Sequence, residues 1–198
     1  MGRGGQGRRS SLASIALPPP IENPMPPGHE VEARRQELRD AAAELDAAED
    51  TGEPARLSQA LARVARCHRS LGGLAEADWY LRRGLQLARS LSAVDASIDA
   101  LCEVAELSIE RAALLDDQEE PRSAHRLRDV ARDHGFEATR LALRSADPQW
   151  EITVLLRVAD LFDRLGDEDD AIALQCRALQ LMTGVADADA TLAQSAAG

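Results

Sequence analysis

Lysine is absent from the 198 residues, so all 23 basic side chains are arginines. With the abundant alanine, this points to a GC-rich, bacterial coding genome and carries little functional weight. Aromatic residues are scarce, 3% of the chain against 44% hydrophobic overall. The apolar content is therefore mostly Ala, Leu and Val, which excludes a bulky β-sandwich core and favours thin helix–helix interfaces. No apolar run approaches the roughly 18 residues that a membrane-spanning helix needs. Only three cysteines occur, Cys67, Cys102 and Cys176, with no CxxC pair. An odd number of scattered, helical cysteines excludes a disulfide framework and suits buried, reduced thiols in a cytoplasmic protein. Positive charge is also in deficit. A net charge of −11 argues against general nucleic-acid binding, which needs a basic face to displace counterions. No Walker-A loop, GxGxxG, GxSxG or HExxH is present, so nucleotide binding and hydrolysis have no motif support.

What is present suffices for one helical domain. The opening stretch, residues 1–28, is rich in Gly, Arg, Ser and Pro. Its Arg8-Arg9 pair precedes LASIAL, but that stretch stops after six residues at Pro18-Pro19-Pro20. An export signal needs roughly 7–15 apolar residues, so the expectation is a disordered tail. Residues 29–50 form an amphipathic helix with Val31, Leu38, Ala42 and Leu45 on one side, which caps the domain. Residues 185–198 form a second tail that extends the last helix or frays.

Between the tails a pattern recurs. LARVARCH (61–68), LCEVAELS (101–108) and LLRVADLF (155–162) all read L-x-x-V-A. The Leu, Val and Ala of each window share a helical face, and the small Ala lets a neighbouring helix approach closely. Gly72 and Gly166 follow the first and third windows at equal distance. Aligned on them, Ala77 matches Ala171, Gly84 matches Ala178, Leu85 matches Leu179 and Leu87 matches Leu181. Each copy is thus a helix, a tight turn and a second helix. The copies lie at about 54–92, 94–146 and 149–184. In the middle copy the first helix runs to about Leu115. Residues 121–146 read as one long helix with Leu127, Ala131, His134, Ala138, Leu141 and Ser145 in a stripe and an exposed Gly135 within it, the alternative being a break at Asp133-His134-Gly135.

The slots Leu61, Val64, Ala65, His68, Gly72, Ala77, Leu81, Gly84 and Leu87, repeated at Leu155, Val158, Ala159, Phe162, Gly166, Ala171, Gln175, Ala178 and Leu181, resemble the tetratricopeptide repeat. The usual Trp is Leu61 and Leu155 here, and the usual helix-ending Pro is Arg89 and Thr183. The resemblance implies an all-α fold of about seven helices, stacked as antiparallel hairpins in a short right-handed superhelix.

Residues with chemical potential have plainer readings. Cys67 and His68 diverge by about 100° on a helix, so they form no dyad, and His68 takes the slot of Phe162. His125 and His134 point to opposite sides of their helix, so no zinc set assembles. The runs Asp167–Asp170 and Asp116-Asp117 with Glu119-Glu120 lack calcium-loop spacing and read as carboxylates at helix starts. No cofactor, metal or catalytic residue is expected. What remains is the concave face that the resemblance implies. Arg66 and Arg69 line it in the first copy, Glu106 and Glu110 in the second, and Asp160, Asp163 and Arg164 in the third. That face would be basic at one end and acidic further along. The leading expectation is a non-enzymatic adaptor that binds a protein or peptide partner there. Alternatives are a sensor for a small ligand or signalling peptide, and an element that forms homo-oligomers.

Overall fold

The computed structural model describes residues 27–196, with side chains for residues 28–184. Among the described residues the chain is seven helices and no strand: α1 (Pro27–Thr51), α2 (Pro54–Ser70), α3 (Leu74–Ser90), α4 (Val94–Asp117), α5 (Pro121–Ala142), α6 (Pro148–Leu165) and α7 (Glu168–Ala196). Each helix packs on the next in the chain, and α4 also touches α6. The expected N-terminal tail falls outside the described residues, except that Pro27 and Gly28 open α1. The backbone of α7 carries on past Gly184, to Ala196.

Local chemistry explains the punctuation. Pro54, Pro121 and Pro148 each sit in a helix's first turn, where their missing N–H costs nothing. Asp147 caps α6 by accepting from the Gln149 N–H at 2.9 Å. Gly72 and Gly166, matched by the sequence repeat, both take positive φ, 81° and 78°. The turns after α3 and α4 use Ser92 and Glu119 for the same bend, at φ 53° and 61°. Those two residues carry a Cβ in a region that disfavours it.

The interior is small-residue packing around α4. Leu101, Cys102, Val104, Ala105, Leu107 and Ser108 of α4 are all buried, because α4 is covered by α3, α5 and α6. The repeat alanines Ala65, Ala77, Ala159, Ala171 and Ala178 are at most 2% exposed. Four expectations are corrected. The buried stripe of α1 is Ala41, Leu45 and Ala48, leaving Ala42 and Val31 exposed. The stripe of α5 is Ala124, Ala131, Gly135, Ala138 and Ala142, so Gly135 is buried and lies at the stripe's centre. The helix is continuous through Gly135 but ends at Ala142, short of residue 146. Asp116 and Asp117 lie in the last turn of α4, at the unfavourable end of its dipole, and Arg128 of α5 pairs with Asp116.

Gly135 is there because α6 comes close. A Cβ at this position would lie 3.2 Å from Phe162 Cζ and 3.4 Å from Val158 Cγ1, both in the core. At Gly84 a Cβ would meet only Leu61 Cβ, at 3.9 Å. Gly135→Leu should therefore lose about 2–3 kcal/mol in urea unfolding through overpacking. Gly84→Ala should gain about 0.5–1 kcal/mol from helix propensity.

Candidate functional site

Helices α2, α4 and α6 each carry polar residues at alternating spacings of three and four, which aligns them along one helical stripe. On α2 the stripe is Gln59, Ala62, Arg66 and Arg69; on α4 it is Ala96, Asp99, Glu103, Glu106 and Glu110. On α6, Arg157, Asp160 and Arg164 follow the same spacing, while Asp163 points about a third of a turn away.

The stripes are tied to one another. Arg69 donates from Nε to Glu110 Oε2 at 2.9 Å and from Nη1 to Glu106 Oε2 at 3.2 Å. Arg157 donates from Nη2 to the other oxygen of Glu106 at 2.9 Å, and from Nη1 to Asp99 at 3.3 Å. Arg66 reaches Glu103 at 3.4 Å. The result is a ladder of ion pairs running from the first hairpin to the third. Hydrogen bonding to Glu110 holds the Arg69 guanidinium above its ordinary pKa. The expected gradient of free charge, basic at α2 and acidic beyond, is replaced by mutual pairing: Arg69 is committed to α4. Asp160, Asp163 and Arg164 are exposed and make no ion pair among the described residues.

Sequence reasoning missed Asp99, Glu103 and Arg157. The signal was available, since Glu103 and Asp99 lie three and seven residues before Glu106, and Arg157 three before Asp160. A strict helical stripe through the chosen residues includes all three.

Beside the upper rungs of the ladder a cavity of about 450 Å³ opens between α2, α3 and α4. Its apolar surface comes from Ala62, Leu81, Gly84, Ala96 and Ala100, with Tyr80 at one side. Asp99, Glu103 and Arg66 supply the charge. The Glu103 side chain is only 18% exposed. Burial raises its pKa above the ordinary carboxylate range, against the opposing pull of Arg66 and Arg157. Asp99 is raised for the same reason. Tyr80 is held by stacking on His68, with ring centroids 5.4 Å apart, and by edge contact with Trp79 at 4.8 Å.

The other reactive groups lie outside the ladder and the cavity. Cys67 is buried against α1, and burial raises its thiol pKa. Cys102 is fully buried, with its thiol pushed up to about 11. Cys176, expected to be buried, is exposed on α7. His125 is exposed, 3.5 Å from Asp129, and burial lowers the pKa of His134. Asp167, at the start of the acidic run before α7, accepts from Arg132 Nε at 2.6 Å. Among the described residues no group of three or more His, Cys, Asp or Glu is placed to hold a metal ion. No helix among them is long and apolar enough to cross a membrane.

The raised Glu103 has a consequence for stability. Its folded pKa exceeds its unfolded one, so its contribution to folding is full in acid and lost as pH rises through the folded value. Arg66, more than half exposed, compensates little. Glu103→Gln should thus be more stable than the parent near pH 7, by about 0.5 kcal/mol. The difference should vanish below pH of about 4, the ordinary glutamate range. Urea unfolding across pH 3–8 measures both.

No protein-family model matches the chain, and no curated protein does. Among solved structures, a chain described as "DHF58 filament" is similar at 20% identity, with a TM-score of 0.40, over 81% of this chain and 84% of that one. A likeness that slight carries no statement about this protein.

Proposed function

We propose that this protein is a non-enzymatic, cytoplasmic adaptor of tetratricopeptide-repeat type, which binds a segment of a partner protein on the face formed by α2, α4 and α6. The observation that carries this reading is the cavity between α2, α3 and α4, open beside a face on which Arg69, Glu106, Glu110 and Arg157 are already paired with one another. The ion-pair ladder supports the reading physically, because it holds the stripes in register and so presents a preorganised surface. Asp160 and Arg164 continue that surface on α6 and are available for contact.

A second reading, assembly with further copies of the chain, is favoured by Ile172, Leu179 and Met182. All three are exposed on α7, and no other helix among the described residues covers them.

Affinity purification with the intact chain as bait, against an Ala62→Phe/Asp160→Arg variant of matched melting temperature that fills the cavity and reverses an exposed charge, tests the first reading. The expected result is at least one partner enriched by the parent and reduced tenfold or more by the variant. Identical partner sets would contradict it. Light scattering from 1 to 100 µM tests the second, which requires a mass that rises with concentration.

A further inference from the structure

We propose that the cavity between α2, α3 and α4 receives a cationic side chain of the partner segment, a guanidinium or an ammonium, between the carboxylates of Asp99 and Glu103. The inference rests on the reading that this face binds a protein segment, and it names what that segment must present.

Charge complementarity carries it. Two carboxylates face the cavity, and one guanidinium, Arg66, stands beside them. Arg66 is 58% exposed and reaches Glu103 through a single contact of 3.4 Å, at the limit of a hydrogen bond. Arg157 is engaged more closely with Glu106, at 2.9 Å, than with Asp99, at 3.3 Å. Glu103 is therefore a mostly buried anion without a close partner, and a buried charge gains most from a charge-assisted hydrogen bond. Burial raises the pKa of Glu103, as expected of an anion whose lost hydration has not been replaced, and also that of the more exposed Asp99 beside it.

Shape agrees with charge. The floor and walls are alanines, Leu81 and the backbone of Gly84, which suit the methylene stem of Arg or Lys. An acidic ligand would have to displace Glu103 from Arg66 and then lie beside Asp99, so the same wall rejects it.

A display library of random 12-residue peptides, panned against the intact chain, supplies the probes. Selected peptides are synthesised, and their affinities measured by fluorescence anisotropy for the parent and for variants. Ala62→Phe fills the cavity, with Ala96→Leu as a second filler should the first fail to fold. Peptides that lose binding to the filled variant should carry an Arg or Lys beside small apolar residues. Their affinity should fall at least tenfold with Asp99→Asn/Glu103→Gln, and equally when the basic residue becomes norleucine. It should rise with Arg66→Gln, which frees Glu103. Cavity-dependent peptides without a basic residue, or indifferent to Asp99→Asn/Glu103→Gln, overturn the cationic assignment and leave the binding face standing. Failure to find any cavity-dependent peptide overturns both. A peptide of residues 8–17, RRSSLASIAL, that competes with the selected ones would move the occupant from a partner to this chain and overturn the assignment as stated.

Discussion

Close approach between helices, made possible by alanine and glycine at the crossings, is the constraint on which the structure depends. Ala65, Ala77, Ala105, Ala131, Ala138, Ala159, Ala171 and Ala178 are all essentially buried, and Gly84 and Gly135 share their surfaces. A chain with two phenylalanines cannot fill wide gaps between helices, so the gaps must be narrow. Phe162, fully buried, is the exception, and its ring is accommodated by the missing side chain of Gly135. Narrow crossings then set everything at the surface. They bring the stripes of α2, α4 and α6 near enough for arginine and glutamate to bridge them.

The bridges give the face its character. In a chain with a large acidic excess, arginine is the scarce partner, and the structure distributes it unevenly. Glu106 receives two arginines and Glu110 one closely, whereas Glu103 receives only the long contact of Arg66. Arginine suits the shared rungs, because one planar guanidinium can satisfy two carboxylates at once, as Arg69 does. Where the ladder is incomplete, a cavity opens, and the anions there are the ones whose protonation burial favours. Stability and binding potential thus share one origin, the placement of too few cations among partly buried carboxylates.

Much of the fold was legible in the sequence because periodicity and spacing are local properties. The L-x-x-V-A windows, the equal distances to Gly72 and Gly166, and the proline starts gave seven helices and the hairpin order. Stripe phase was less legible where alanine dominates. On α5, Gly135 is buried beside the more apolar but exposed Phe136, because Phe162, distant in sequence, packs where a Gly135 side chain would lie. The cavity itself was not legible, since it depends on three helices meeting. The pairing of Arg69 with Glu110, across 41 residues, was equally out of reach. Arg69 and Glu110 stand out in the sequence, but as free charges, because a single helix shows which residues share a stripe and never which stripe they meet.

The ladder is the claim from which the rest follows, and a double-mutant cycle between Arg69 and Glu110 addresses it most directly. Urea unfolding of the parent, Arg69→Ala, Glu110→Ala and the double variant gives the coupling free energy. These side chains are 27% and 34% exposed, so the pair is partly desolvated and a favourable coupling of about 1 kcal/mol is predicted, weakening in high salt. A coupling indistinguishable from zero at low salt would mean that the α2 and α4 stripes do not face each other, and would contradict the account.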